Sequence, residues 1–181
     1  VSINAGTAKT FALVHGCRKE DFYTVFDNIQ SAVKIKRRNS YSCTIGAQIV
    51  LLPSNLPEVT RLASRLKSIG VDYLVVKPCI KHPSSSHSIK RNFTVKELLA
   101  LENTLQKYND KNFKVYFRAH SFLKLSQPKP YGRCLALPFF CEITSNGDIY
   151  TCGPFLGNKK FCYGNIYHDS FSGRASCRER V

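Results

Sequence analysis

Several features that define large classes of proteins are missing from this sequence of 181 residues. No apolar run approaches the roughly 18–20 residues of a membrane-spanning helix. No positively charged start followed by a short apolar stretch marks a secretory signal. No GxGxxG or P-loop motif follows any predicted strand, so neither nucleotide-binding fingerprint is present. Because the sequence contains no Met, we interpret it as a piece of a larger protein.

Acidic residues are scarce. Only 12 Asp and Glu stand against 27 Lys and Arg, which leaves a formal charge of +15. The cluster Lys34, Lys36, Arg37 and Arg38 is compatible with a nucleic-acid surface, but also with a solvated face or with cations at a helix C-terminus, which the helix dipole favours. Because no aromatic-interleaved basic motif accompanies this charge, nucleic acid is the less favoured partner. Hydrophobic residues make up 43% of the chain, which excludes disorder.

The first two-thirds of the sequence alternates strand and helix patterns. Strands are predicted at 1–4, 43–52, 72–77 and 113–117, and helices over 21–38, after Asn55 and after the capping box at 94–97. This β-α-β-α-β-α-β order predicts parallel strands joined by helices. The apolar run that ends at Leu52 predicts a strand buried on both faces. Either an open doubly wound sheet or a piece of a (β/α) barrel satisfies the pattern.

Polar residues follow several of the predicted strands. In parallel α/β proteins, functional residues gather beyond the C-terminal ends of the strands. The residues at such positions are Asn4, Asn55, Lys77 and Arg118, with His82 and His87 in the loop after Lys77. Each of them either points into a site or meets water at a strand end. Lys77 is the stronger candidate, because Pro78 and a long loop follow it.

The pattern changes after Ala119. A Pro- and Lys-containing linker is predicted over 126–132, and a hairpin over 139–152, where Asn146-Gly147 is a strong turn signal. Of the eight cysteines, five fall after residue 133, which suggests a local metal or cluster site rather than a disulfide framework. The alternative is buried free cysteines that act as small hydrophobes. The paired CxxC knuckles of a zinc ribbon are absent.

These segments resemble a radical S-adenosylmethionine enzyme with a SPASM-type auxiliary-cluster domain. The segments VSINAGTAKTFALVHG, DFYTVFDNIQSAV, GAQIVLLPSNLPEV and GVDYLVVKP resemble strands and a helix of its partial barrel. The segment 134–166 resembles the start of the SPASM motif, C-x(9–15)-G-x4-C, which Cys134, Gly147 and Cys152 fit. The likeness extends over roughly residues 1–171, and the family's CxxxCxxC loop is not in this chain.

The resemblance implies a fold and a chemistry. The fold is α/β, with a partial TIM-type (β/α) barrel over 1–125 and a small cysteine-rich β-hairpin module over 126–171. Residues 172–181 do not resemble the family, and we interpret them as a foreign tail. In the family, a 4Fe-4S cluster reductively cleaves S-adenosylmethionine, and the resulting radical abstracts hydrogen from the substrate. Since the loop for that cluster is absent, enzymatic activity of this chain is an open question, and we expect a fragment that is inactive alone.

The resemblance also implies ligands, partners and a compartment. The implied residues are Ser2, Asn4 and Gln48 for S-adenosylmethionine, Lys77 for the substrate, and Cys134 and Cys152 for an auxiliary 4Fe-4S cluster. The implied partners are an electron donor and a substrate that is a peptide, a protein or a small molecule, without a membrane. Oxygen-labile clusters imply a cytoplasmic setting. Two alternatives remain open: a non-enzymatic, zinc-bearing, basic nucleic-acid-binding module, and a structural fragment with free cysteines.

Overall fold

The computed structural model describes residues 1–80, 93–117, 119–125 and 139–169, together with 127, 128, 130–132, 134 and 136. The regular elements in this part of the chain are α1 (Ala8–His15), α2 (Glu20–Arg38), β1 (Gly46–Leu51), α3 (Val59–Ile69), β2 (Tyr73–Pro78), α4 (Val95–Gln106), β3 (Lys114–Phe117), α5 (Ala119–Leu125), β4 (Glu142–Ile143), β5 (Asp148–Tyr150) and β6 (Cys162–Asn165). They form two compact units that meet in sequence between residues 127 and 128.

The first unit is built on a parallel sheet in the order β1-β2-β3. β1 pairs with β2 along its whole length, and β2 pairs with the whole of β3. The chain start continues this sheet beyond β1, because the Ile3 amide donates to the Gln48 carbonyl and the Gln48 amide donates to the Val1 carbonyl, each at 2.8 Å. The predicted first strand is therefore a short parallel bridge centred on Ser2 and Gln48.

The two faces of this sheet differ in what covers them. One face carries fully or almost fully buried side chains, which are Ala47, Ile49, Leu51, Leu74 and Val76. They belong to one hydrophobic core with the apolar stripes of α2, α3 and α4. The other face of β1 is only half-buried, since burial alternates along the strand. The prediction that β1 is buried on both faces is therefore wrong, because only the side chains of one face belong to that core.

Three of the helices follow local signals in the sequence. α2 buries Phe22, Phe26, Ile29 and Val33 along one stripe and has acidic residues in its first turn and basic residues in its last turn. α3 ends at Gly70, whose φ of 92° lies in the left-handed region that favours glycine. α4 begins with the predicted capping box, in which the side chain and backbone of residues 94 and 97 bond reciprocally. These predictions are confirmed.

Two helices were not predicted. α1 has 8 residues and buries only Thr10 and Phe11, so it lacks the long apolar stripe that reveals α2. Its N-cap is Thr7, whose side chain accepts a hydrogen bond from the Thr10 amide. α5 follows β3 almost directly and is too short for a periodic pattern to be read. No helix in the described part of the chain combines the length and the apolar character needed to cross a membrane.

The second unit contains an antiparallel sheet in the order β4-β5-β6. β4 and β5 are joined through Asn146-Gly147, and Gly147 has a φ of 86°. That backbone conformation explains the glycine, because an L side chain is strained there. β6 adds to β5 with an irregularity between Ile149 and Tyr150. Ile149, Tyr150 and Thr151 are buried, and they form the centre of this small unit.

Candidate functional site

The face of the parallel sheet that lacks covering helices brings together several residues singled out by the sequence. Ser2 lies opposite Gln48 in the parallel bridge. Gln48 is paired with Val75, and Lys77 lies two residues further along β2, so both side chains project from the same face. Lys77 Nζ donates a hydrogen bond to Gln48 Oε1 at 2.6 Å. We call this surface of Ser2, Gln48, Val75, Lys77 and Tyr116 the open face.

Asn4 differs from the other predicted cofactor residues in how its polar atoms are used. Its Oδ1 accepts from the Val50 amide at 2.9 Å, and its carbonyl oxygen accepts from Asn55 Nδ2 at 2.9 Å. Asn55 is fully buried and also bonds the Val50 carbonyl and the Leu52 amide. Both side chains therefore fasten the chain start to the loop after β1. One acceptor site of the Asn4 carboxamide oxygen is thus used within the chain, and the predicted role of Asn4 toward S-adenosylmethionine stays a prediction.

A groove of about 510 Å³ runs along β2 and β3 to the end of β2. Its lining includes Tyr73, Val75, Lys77, Tyr116 and Ser121. The rings of Tyr73 and Tyr116 meet edge to face, with centroids 6.0 Å apart. We call it the Lys77 groove. Its volume is in the range of small-ligand sites, and it extends to the carboxyl end of β2, where such sites occur in parallel sheets.

Sequence reasoning missed the aromatic wall of the Lys77 groove. Tyr73 and Tyr116 belong to predicted strands, and the alternation of side chains along a strand could have placed them on the face that carries Lys77. Ser121 had no such signal, because it lies in the unpredicted helix α5. Three further residues singled out by the sequence, Arg118, His82 and His87, lie outside the described residues.

A fully engaged carboxylate lies just after β1. Glu58 Oε2 accepts from the amides of Gly6 and Thr7 at 2.9 and 3.0 Å. Glu58 Oε1 accepts from the hydroxyls of Thr7 and Thr10 at 2.8 and 2.7 Å. Burial acts to raise the pKa of Glu58, but these hydroxyl and amide donors outweigh burial and hold that pKa below its ordinary value. Glu58 therefore fixes the start of α1 as a carboxylate and is not a candidate for proton transfer.

The predicted cluster ligands belong to the second unit. Cys134 is exposed, Cys152 is half-buried, and both are free thiols. Cys152 has extended backbone and directly precedes a turn of 3-10 helix, Gly153–Phe155. Within the described residues, no three His, Cys, Asp or Glu side chains gather into a group that could hold a metal ion. A 4Fe-4S cluster needs about four thiolates in all, and the role of Cys134 and Cys152 as two of its ligands stays a prediction.

These features define the class of the first unit, a mixed α/β fold with a three-stranded parallel sheet and a groove at the carboxyl end of its strands. No family model and no curated protein matches the sequence. The fold is similar to crystal structures of SuiB from Streptococcus suis. One of them has a TM-score of 0.64 and 14% sequence identity, and the match covers 94% of this chain and 41% of that chain.

Two further SuiB structures match in the same way. SuiB bound to S-adenosylmethionine has a TM-score of 0.65 and 16% identity, with coverage of 94% and 40%. SuiB bound to the precursor peptide SuiA has a TM-score of 0.61 and 14% identity, with the same coverage. Identities this low establish a shared fold alone. The chain spans about two-fifths of the length of the SuiB chains that it matches.

Proposed function

We propose that this chain is part of a radical S-adenosylmethionine enzyme and that its open face contacts S-adenosylmethionine and substrate. One observation carries the proposal: Ser2, Gln48 and Lys77, chosen from the sequence by family resemblance, lie on one face of the sheet. The similarity of fold to SuiB supports it, because SuiB has been solved with S-adenosylmethionine bound. The resemblance of residues 1–171 to the radical S-adenosylmethionine family, which suggested these residues, is consistent with that fold.

The polar groups of the open face fit parts of S-adenosylmethionine. The Ser2 hydroxyl is exposed and both donates and accepts, which suits a ribose hydroxyl. The Gln48 carboxamide has its oxygen bonded to Lys77, and its NH₂ group supplies two further donors. Since Lys77 fixes the oxygen side of that carboxamide, Gln48 would present its amide donors in a defined orientation. Asn4 would support these residues indirectly, because its side-chain oxygen accepts a hydrogen bond from the Val50 amide.

The chemistry of the reaction would come from the cofactor. S-adenosylmethionine cleaved by a reduced 4Fe-4S cluster supplies a radical that abstracts hydrogen from the substrate. The residues of this chain would bind and orient the ligands, and Val75 and Tyr116 supply apolar surface in the groove. The sequence has no CxxxCxxC motif, so we expect no cleavage of S-adenosylmethionine by this chain alone.

The proposal extends to the remaining parts of the chain. We assign the first unit to a partial (β/α) barrel and the second to the start of a SPASM-type module. The spacing of Cys134, Gly147 and Cys152 is the support for that module and for an auxiliary 4Fe-4S cluster. A peptide is the proposed substrate class, because SuiB has been solved with a precursor peptide. The proposal also includes an electron donor and a cytoplasmic setting.

Binding of S-adenosylmethionine to the full 181-residue chain tests the proposal. We would titrate the ¹⁵N-labelled chain with S-adenosylmethionine and follow amide shifts by NMR. The expected result is a set of shifts centred on Ser2 and Gln48, with a Kd of about 1 mM for contacts of this number. Gln48→Ala should weaken binding, whereas Gln106→Ala, at the end of α4, should leave it unchanged. Shifts spread evenly over the chain, or equal binding by both variants, would refute the proposal.

A second candidate function, the binding of nucleic acid, is favoured by a basic groove of about 680 Å³ at the amino ends of the strands. Its cationic lining residues are Lys36, Arg37, Lys67, Lys111 and Lys114. Asp72 and Asp110 also line it, but they pair with Lys36 and Lys67 at 2.6 and 2.7 Å. Lys111 and Lys114 form no ion pair among the described residues, so their charge is available to a phosphate backbone.

Salt dependence tests this second function. Affinity for a 20-nucleotide RNA and for a DNA duplex of that length would be measured at about 50 and 200 mM salt, and a nucleic-acid-binding module should lose affinity steeply between them. The double variant Lys111→Gln, Lys114→Gln should reduce the slope of log affinity against log salt. Binding that does not change with salt would exclude this function.

A further inference from the structure

We infer that the Lys77 groove binds an aromatic or other apolar group that carries a carboxylate. The inference that the groove is a binding site depends only on the groove itself. The identification of the bound group as part of the substrate rests on the proposed function. The observations behind it are an ammonium with no anionic partner among the described residues, two aromatic rings and a half-buried valine, all on one groove.

The charge at the end of the groove comes first. Lys77 Nζ bonds Gln48 Oε1, which is a neutral acceptor. An ammonium has three donors, so two of them remain for a ligand. No described carboxylate lies within ion-pair distance of Lys77. A carboxylate entering the groove would therefore pair with this cation through charge-assisted hydrogen bonds.

The walls of the groove define the rest of the ligand. Tyr116 is 52% exposed, although its ring is large and apolar. Tyr73 packs edge to face against it, and Val75 lies between Tyr73 and Lys77 on the same strand. A planar apolar group placed over Val75 would cover both rings and gain an aromatic contact with each, which is worth more than area burial alone.

The lining of the Lys77 groove disfavours a positively charged ligand. The described residues that line the groove include no Asp or Glu, so a ligand ammonium would meet Lys77 without a compensating anion. The basic groove at the other end of the strands differs in both respects. Its lining contains two carboxylates, and its one aromatic residue, Phe113, is buried. The combination of an aromatic wall and a single unpaired cation therefore belongs to the Lys77 groove.

Three matched probes test the inference: 3-phenylpropionate, the neutral 3-phenylpropanamide and the cationic 3-phenylpropylamine. Binding would be followed by NMR on the methyl groups of Val75 in the full chain. We expect 3-phenylpropionate to bind with a Kd of about 1 mM, roughly fivefold tighter than the amide, which is the scale of a solvent-accessible ion pair. The amine should not shift the Val75 signals at the same concentrations.

Variants locate the preference for the anion. Lys77→Gln should abolish the difference between acid and amide, and Lys77→Arg should keep it. Lys114→Gln is the matched control, because Lys114 lies on the same face of the neighbouring strand β3, beside Tyr73 rather than Lys77. Tyr116→Ala should weaken the acid and the amide by the same factor, since it removes only the aromatic wall. Amide dispersion of each variant reports that it is folded.

The outcomes separate this inference from the proposed function. Equal binding of acid and amide to the unmodified chain, or a preference that survives in Lys77→Gln, would overturn the inference. S-adenosylmethionine would be titrated into the same samples. If 3-phenylpropionate binds and S-adenosylmethionine does not, the inference about the groove stands and the proposed function is refuted. If S-adenosylmethionine binds and 3-phenylpropionate does not, only the inference about the groove is refuted.

Discussion

Replacement of Glu58 should lower the free energy of unfolding of the first unit by more than the half-buried position of this side chain suggests. The carboxylate accepts four hydrogen bonds, two from backbone amides and two from hydroxyls. A hydrogen bond to a charged group contributes about 1.5–3 kcal/mol, and bonds that share one acceptor group are not additive. We therefore expect Glu58→Ala to lower the free energy of unfolding by about 3 kcal/mol. Glu58→Gln, which keeps one acceptor oxygen, should cost about 1 kcal/mol.

The effect of pH gives this prediction a second measurable signature. The folded-state pKa of Glu58 lies below its unfolded value of 4.5, so its contribution is fully present above pH 4.5. It is lost as the pH falls through the folded-state pKa, where the carboxylate becomes protonated in both states. The difference of about 1 kcal/mol between the unmodified chain and Glu58→Gln should therefore be present at pH 7 and should shrink well below the folded-state pKa.

Urea unfolding followed by circular dichroism at these pH values measures both quantities. Glu102→Ala is a suitable control, because Glu102 lies in α4 and its side chain makes no hydrogen bond to the described residues. It should change the free energy of unfolding by less than about 0.5 kcal/mol. If Glu58→Ala costs no more than this control, or if the difference at pH 7 persists unchanged in acid, the carboxylate does not stabilise the start of α1 as argued.

Substitutions at three other positions test separate contacts. Asn55→Ala leaves a backbone amide and two carbonyls without the buried carboxamide that bonds them, so urea unfolding should show a loss of about 3 kcal/mol. Asn55→Asp should cost more, because a carboxylate would face two carbonyl oxygens. Thr94→Ala removes the N-cap of α4 and should cost about 1 kcal/mol in thermal unfolding, with most of it restored by Thr94→Ser. Gly6→Ala would place a Cβ 2.5 Å from the Glu58 carbonyl oxygen, so circular dichroism should report a thermal midpoint below that of Thr94→Ala.

The parts of the fold that could be predicted are those whose causes lie within a few residues. The stripe of α2 repeats every three or four positions, and the capping box of α4 spans residues 94–97. α1 was missed because its start is held by Glu58, 51 residues from Thr7 in the chain. Residues 1–4 were predicted as a short strand but form a single bridge, and the extent of that pairing depends on β1, which is distant in the sequence.

The candidate site was partly predictable for the same physical reason. Strand-end positions identified Asn4, Asn55 and Lys77 without any knowledge of their partners. The bond between Lys77 and Gln48 depends on the register of β1 against β2, which no local pattern specifies. Asn4 and Asn55 hold the chain start against the end of β1 and the loop that follows it. These roles are evident only from their hydrogen bonds, which join segments that are distant in the sequence.

Parallel pairing in the first sheet has a consequence for the kinetics of folding. Lys77 and Gln48 are 29 residues apart in the chain, and α3 lies between their strands. No pair of neighbouring strands can form as a tight hairpin, so each pairing must first close a long loop. The entropy of that closure is lost before strand contacts compensate for it, which makes refolding slow for a chain this rich in helix. Folding rates should therefore respond most to substitutions in the β1-α3-β2 segment, where loop closure and core formation coincide.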